Sequence, residues 1–216
     1  DQVKYEKPFT KFRININKKI FKYKGKYNYS IKAVGNHNVL NGCASIIASL
    51  LVGIKKEHIK KALKNYIGVK RRFSFLGKLN NALVYDDYAH HPTEIRATLL
   101  AAKQLRKKII VIFQPHRYSR TQVLMKEFVE VLSKIKDLYL INTYSAGEKI
   151  VKKATSIVLF KQILKYQKNV KYIKNEDNLK DLLTKHTSKN SIILFMGAGS
   201  ITKIAHRFMQ KNDWKN

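Results

Sequence analysis

Four short segments of this sequence concentrate side chains that move protons or hold anions. They are Asp86-Asp87-Tyr88-Ala89-His90-His91-Pro92-Thr93-Glu94, Gln114-Pro115-His116-Arg117-Tyr118-Ser119-Arg120-Thr121, Thr143-Tyr144-Ser145-Ala146-Gly147-Glu148 and Gly197-Ala198-Gly199-Ser200. Together they offer imidazoles and carboxylates for acid–base work and guanidinium groups for pairing with a carboxylate or phosphate. Arg117 and Arg120 stand where a helix is expected to begin, and the macrodipole disfavours cations there, so an anionic ligand is a reason for them. Each segment also has a plainer reading. Asp86 and Asp87 could cap a turn, His90-His91-Pro92 could be a helix entry, and Gly197-Ala198-Gly199 could be a tight turn into a helix. No His-x-x-x-His spacing occurs, so no dedicated zinc site is expected.

Two further segments lie upstream. Asn36-His37-Asn38-Val39-Leu40-Asn41 falls at a helix start, where Asn38 or its neighbour could serve as N-cap. Asn also carries a donor and an acceptor on one side chain, which suits the edge of an adenine. Gly68-Val69-Lys70-Arg71-Arg72-Phe73 places adjacent arginines in a linker, as a phosphoryl clamp or as a solvated hinge.

The elements that position these residues follow from hydrophobic period. Phe9 to Val34 alternates in short aromatic and aliphatic runs and predicts a β-hairpin turning at Lys24-Gly25-Lys26. Asn38 to Val52 and Glu57 to Tyr66 predict helices. From Ala82 the chain alternates strand and helix. Strands are expected at Ala82–Asp87, Lys108–Phe113, Leu138–Asn142, Val170–Ile173 and Ser191–Met196. Helices are expected at Pro92–Arg106, Arg120–Ile135, Ser156–Gln167, Asp177–His186 and Ser200–Gln210. This is the pattern of an α/β, doubly wound, Rossmann-like domain with a mostly parallel sheet. In such a fold ligands bind beyond the carboxyl ends of the strands, which is where all four segments fall.

Composition bounds the alternatives. The 216 residues include 44 Lys and Arg against 14 Asp and Glu, a net charge of +30, with a single cysteine, Cys43, that cannot form an intrachain disulfide. Only 8 of the 44 cations are Arg, and the lysines are spread along the chain rather than gathered in a tract, so a nucleic-acid partner is not the expectation despite the charge. No apolar run approaches the ~20 residues of a membrane span, and no membrane partner is expected. The first residues, Asp-Gln-Val-Lys, show neither a signal-peptide core nor an initiating Met, so a cytoplasmic location and a place within a longer chain are expected.

Taken in order, His37-Asn38-Val39-Leu40-Asn41, Gly68 to Phe73, Asp86 to Glu94, Gln114 to Thr121, Tyr144 to Glu148 and Gly197 to Gly199 resemble the Mur ligases, from about Phe9 to about Met209. The Gln114 to Arg120 stretch resembles the branch that adds the first amino acid to the peptidoglycan precursor. Ala89 departs from it, standing where that branch usually carries Gly. The resemblance implies residues 1–70 as the incomplete tail of a central ATP-binding domain and 71–216 as a complete C-terminal domain. The family's phosphate loop, Gly-x-x-x-x-Gly-Lys-Thr/Ser or Gly-Thr-x-Gly-Lys-Thr, occurs nowhere in the sequence.

The activity implied is ATP-driven joining of L-alanine to UDP-N-acetylmuramate through an acyl phosphate. ATP is then a substrate, and Mg2+ is expected on ligands in the missing N-terminal and central parts, supplied in cis or in trans. The resemblance places His37, Asn38 and Asn41 against adenine, and Arg72 and Asp87 near the nucleotide in the interdomain cleft. Tyr88, His90, His116, Arg117 and Arg120 would shape the pocket for L-alanine and the muramate carboxylate. Arg72, Asp87 and His90 are the candidates for a part in catalysis, with His90 assisting amine deprotonation because an imidazole suits that task. Domain closure would assemble the two half-sites, and the chain alone should not turn over. Residues Asp1 to about Ile31, parted from their parent sheet, should expose an edge strand and apolar surface. Two other classes stay open: a basic nucleic-acid-binding Rossmann-like protein, and an inactive remnant serving as an interaction module.

Overall fold

In a computed structural model the chain divides into two compact units, Asp1–Val69 and Lys70–Asn216. The structure describes all residues except 1–2, 7–8, 21–22, 34, 67, 176–178, 180–181, 184–187, 189 and 211–216, and the side chains of 5–6 and 18–20 are likewise left out. Among the described residues no helix is long and apolar enough to cross a membrane.

In the first unit β1 (Val3–Glu6), β2 (Phe9–Ile20) and β3 (Tyr23–Ile31) form an antiparallel sheet in that order. The expected turn at Lys24-Gly25-Lys26 is not there. Gly25 lies inside β3 opposite Ile16, and Lys26 and Tyr27 continue the pairing to Asn15 and Ile14, because β2 runs on to Ile20. The helices α1 (Asn36–Leu51) and α2 (Lys56–Lys64) pack on the sheet. Phe12, Ile16, Tyr29 and Ile31 meet Val39, Ile46, Leu50 and Ile59 in one core. Among the described residues Val3 of the opening strands is exposed, and further apolar exposure falls on α1 and just beyond it, where Leu40, Leu51 and Val52 face solvent.

In the second unit, six strands are ordered β4-β5-β9-β6-β7-β8. They are β4 (Ser74–Leu79), β5 (Ala82–Asp87), β6 (Lys108–Phe113), β7 (Asp137–Ile141), β8 (Lys171–Ile173) and β9 (Ser191–Met196). All neighbouring pairs are parallel except the β4–β5 hairpin. The sheet is thus mixed and mostly parallel, as expected, with β4 as an element the hydrophobic pattern did not reveal. Strand residues alternate between two cores because successive side chains point to opposite faces. Ile110, Ile112, Ile193 and Phe195 point to the face covered by α7 (Ile201–Gln210) through Ile201, Ile204 and Phe208. Val111, Phe113, Leu194 and Met196 point to the face covered by α3 (Pro92–Lys103), α5 (Met125–Leu132) and α6 (Ser156–Leu164). Burial of each such aliphatic or aromatic side chain contributes about 1.5–3 kcal/mol, so both faces hold the strands rigidly in register.

The single helix expected over Arg120–Ile135 is divided into α4 (Tyr118–Val123) and α5 at Leu124, whose backbone departs to φ −105°, ψ 24°. The ladder still crosses the offset, since Leu124 N donates to Arg120 O and Phe128 N donates to Leu124 O. Much of the helix expected at Asp177–His186 lies outside the described residues, although Leu179 and Leu183 are buried against the β4–β8 core.

Candidate active site

The strand order puts β9 between β5 and β6, so the carboxyl ends of β5, β9, β6 and β7 lie side by side and carry the four segments to one edge. Backbone bonds lock those ends together. Gly197 N donates to Asp87 O, Gln114 N to Met196 O, Tyr144 N to Pro115 O and Arg117 N to Tyr144 O. A parallel bridge pairs His116 with Tyr144 beyond the regular strands.

Asp87 is buried, and every contact of its carboxylate is an acceptor's: Phe73 N donates to Oδ2 at 2.7 Å, and Ala89 N and the Thr98 hydroxyl donate to Oδ1 at 2.8 and 3.1 Å. Burial raises its pKa above the ordinary carboxylate value against the opposing pull of these donors and of Arg72. Asp86 is also buried, accepts from the Thr202 hydroxyl at 3.2 Å and has its pKa raised by burial. The sequence left Asp87 between a turn cap and a nucleotide-side group; the geometry makes it the clasp that holds the turn into His90 against the strand preceding it.

The adjacent arginines separate. Arg71, at φ +61°, lies over the Tyr88 ring at 4.4 Å and donates from Nη2 to Gly197 O at 2.8 Å. Its buried Nε stands 3.9 Å from Asp86, near enough for charge attraction and too far for a hydrogen bond. Arg72 is exposed, with its guanidinium 5.6 Å from the same ring. One arginine therefore ties loops together, and its neighbour presents a cation at the edge.

His90 and His116 approach with ring centroids 5.7 Å apart, Tyr88 standing edge-on to His90 and Tyr144 stacked on His116 at 5.4 Å. Their tautomers follow from their partners. His90 Nδ1 lies 2.9 Å from Tyr88 O and 3.3 Å from Glu94 Oε2, both of which only accept, so Nδ1 carries a proton and donates. His116 Nδ1 lies 3.1 Å from Arg120 Nη1, which only donates, so Nδ1 accepts and Nε2 carries the proton. Burial, then the Arg120 charge, with smaller contributions from His90 and Arg117, push the His116 pKa down to about 4. The pair sets His90, anchored through Nδ1, beside the neutral N–H of His116.

Arg120 also donates to His116 O at 3.3 Å, while Arg117, at φ +69°, is the exposed N-cap of α4. One anion at the start of α4 comes from the chain itself: Glu148 accepts from Ser119 N at 3.0 Å and from the Ser119 hydroxyl at 2.6 Å. Those bonds, the hydroxyl's first, lower the Glu148 pKa. At α3 the helix-entry reading holds. His91 is the N-cap, its Nδ1 accepts from Thr93 N at 3.3 Å, and Glu94 closes the capping box by accepting from His91 N at 3.2 Å, with Pro92 in the first turn.

Gln114 was not singled out among its neighbours, yet it joins three strand ends. Its Nε2 donates to Ser200 Oγ at 3.0 Å and Asn142 O at 3.4 Å, and its Oε1 accepts from Ile201 N at 2.9 Å, capping α7. The only sequence signal was an amide directly after an apolar strand. Gly199 belongs to the same joint: a Cβ there would stand 2.4 Å from Tyr144 Cγ and 2.7 Å from Gln114 Oε1.

In the first unit, the cap of α1 is Gly35, at φ +102°, so Asn38 lies in the first turn and is not the N-cap. Asn38 and Asn41 line a cavity of about 380 Å3 between α1 and α2, with Ser45, Ser49 and His58, over a floor that includes Ile46 and Ile59. His37 is part of the same first turn but does not line that cavity.

A six-stranded mixed sheet with charged and aromatic loops at its carboxyl edge defines a doubly wound α/β domain. Residues 71–199 match the family model described as "Mur ligase, glutamate ligase domain", and the chain belongs to the Mur ligase family. It is 38% identical over 193 residues to the UDP-N-acetylmuramate–L-alanine ligase of Caldanaerobacter subterraneus subsp. tengcongensis, covering 88% of this chain and 42% of that protein. To the ligase of the same name from Buchnera aphidicola subsp. Acyrthosiphon pisum it is 39% identical over 208 residues, covering 91% of this chain and 43% of that one. The chain thus spans about two fifths of the length of these curated relatives. Among solved structures, UDP-N-acetylmuramate-alanine ligase MurC from Thermotoga maritima is 28% identical with a TM-score of 0.78, covering 97% of this chain and 44% of that one. MurF ligase from Thermotoga maritima, 15% identical with a TM-score of 0.72 over 100% of this chain and 47% of that one, shares the fold.

Proposed function

We propose that this chain is the amino-acid-side portion of an ATP-dependent ligase that joins L-alanine to UDP-N-acetylmuramate through an acyl phosphate. The observation that carries the reading is the imidazole pair at the sheet edge, ring centroids 5.7 Å apart, with the exposed cations Arg72 and Arg117 on the same edge. The names of relatives at 38–39% identity supply the substrates.

In the proposed reaction a muramate carboxylate oxygen attacks the γ-phosphorus of ATP and ADP leaves. The alanine nitrogen then attacks the acyl carbon, and inorganic phosphate departs as the amide forms. That nitrogen must lose a proton, and His90 Nε2 is the acceptor this chain offers. His116, kept neutral, donates Nε2–H to a carboxylate or developing oxyanion without presenting a full charge. Arg117 and Arg120 with Tyr88 bind the carboxylates of the two substrates. Arg72 contacts phosphate, and Asp87 acts through the loop it clasps, as a positioning residue. His37, Asn38 and Asn41 serve the adenine, with residues 1–70 as the tail of the nucleotide-binding domain and 71–216 as the C-terminal domain.

Mg2+, when bound, would offset phosphate charge during transfer. Its ligands and the phosphate cradle are proposed to lie in the length of the relatives that this chain does not span.

The test is phosphate release from ATP with Mg2+, UDP-N-acetylmuramate and L-alanine, by this chain alone and after joining to the N-terminal part of a relative. Silence alone with turnover after joining is the expected result. Turnover by the lone chain would refute the domain assignment, and silence in both would refute the activity.

A further inference from the structure

The opposite edge of the same sheet carries a second feature. At the amino ends of β6 and β7, α3 and α5 border a groove of about 510 Å3. Its floor is aliphatic, made by Leu99, Ile109, Val131 and Ile135, and Leu100 on its wall is 58% exposed. Its rim is cationic: Arg96, Lys103, Lys107, Lys108, Lys134 and Lys136 all line it.

These cations are only partly answered. Glu130 pairs with Arg96 at 3.4 Å and Lys134 at 3.1 Å, and Asp137 pairs with Lys108 at 3.3 Å. Lys103 and Lys136 have no ion pair among the described residues. Arg96, Leu100 and Lys103 recur at helical spacing on α3, so one ridge mixes an exposed leucine with cations. A lysine bias acting on solvated positions explains cations anywhere, but not cations ringing a recessed aliphatic floor beside an exposed leucine.

We infer that this groove docks an amphipathic acidic helix of a partner protein, its apolar side on the floor and its carboxylates on the rim. A helix laid in a groove anchors through side chains at i, i+3, i+4 and i+7, the spacing such a cleft between two helices accepts. No aromatic side chain lines the groove, so it offers no platform for stacking bases of a single-stranded nucleic acid. Apart from Leu100 its apolar residues are recessed between charged rims, which is unfavourable for insertion into a lipid surface. The groove lies at the sheet edge away from the candidate active site, so an occupant leaves the loops at the carboxyl ends open.

The experiment titrates the 216-residue chain against a fluorescein-labelled helical peptide of about 18 residues, Leu on one face and Glu elsewhere, and against a scrambled peptide of the same composition. A single-stranded thymidine oligonucleotide and vesicles of phosphatidylcholine with phosphatidylglycerol form the other arms. Expected are binding of the amphipathic peptide at least about fivefold tighter than the scrambled one, and a loss of about fivefold in Leu100→Ser and in the double variant Lys103→Gln/Lys136→Gln. The charge-matched Lys153→Gln/Lys203→Gln, outside the groove, should stay within about twofold of the parent. Hydrogen-exchange protection by the peptide should map to residues 96–109 and 131–137, a readout that does not depend on any variant folding. Equal binding of the scrambled peptide, equal losses in the two lysine doubles, protection elsewhere, or groove-dependent binding of the oligonucleotide or vesicles instead of the peptide would each overturn the inference.

Discussion

His116 owes its low pKa, about 4, first to burial and next to Arg120, so its protonation reports on the site. Because that value lies below the ordinary 6.5 of an unfolded imidazole, the unfolded chain binds the proton first as pH falls. The stability His116 contributes is therefore complete above about pH 6.5 and is lost progressively down to about pH 4. Arg120→Gln keeps a donor and removes the charge. The His116 pKa, followed by the NMR shift of its ring protons, should rise yet remain below 6.5 because burial persists; an unmoved value would remove Arg120 as a cause. Asp87 is the complementary case. Asp87→Asn replaces one acceptor oxygen by a donor facing either Phe73 N or the Ala89 N and Thr98 pair, and should cost about 2–4 kcal/mol in urea unfolding. A loss under about 0.5 kcal/mol would mean the clasp does not hold.

At the level of elements, β4 and β5 are joined by Asn80-Asn81, at φ +45° and +64°, the conformation two-residue hairpins require of both positions. Asn tolerates this conformation better than most residues. Asn81→Gly should leave stability unchanged or raise it by up to about 1 kcal/mol, whereas the β-branched Asn81→Val should lower it by about 1–2 kcal/mol, both read from thermal or urea unfolding. This hairpin escaped the sequence pattern because Gly77 interrupts the alternation, with a register shift between Phe75 and Gly77. Strands β5, β6 and β9 were legible to the residue because long apolar runs between polar loops have few other readings. The turn placed at Gly25 failed for the opposite reason: glycine within a strand at an irregular register carries the same local signal as glycine in a turn.

For the whole molecule, a net charge of +30 over 216 residues means that like charges oppose the compact state. Raising ionic strength from about 0.01 to 0.1 M shortens the screening length from about 30 to about 10 Å, so the melting temperature should rise by several degrees. A flat or falling response in calorimetry would show that ion pairs outweigh the repulsion. Two compact units with separate cores also argue against a single cooperative transition. Hydrogen exchange should find β9, paired on both sides, the slowest region, and β1, paired among the described residues only to β2, among the fastest.

The sequence by itself determined the alternation of strand and helix, the doubly wound class, and the loops in which Asp87, His90, His116, Arg117 and Arg120 fall, because periodicity and residue type are local properties. Only the tertiary structure decided what those residues do for one another. It turned Arg71 inward and left Arg72 outward, gave Asp87 to backbone amides, set Glu148 on Ser119 at the start of α4, and made Gln114 the joint of three strand ends. Such roles depend on partners up to 128 residues away, as between Arg71 and Gly199, and on which strands become neighbours, a matter of long-range pairing that no local pattern encodes.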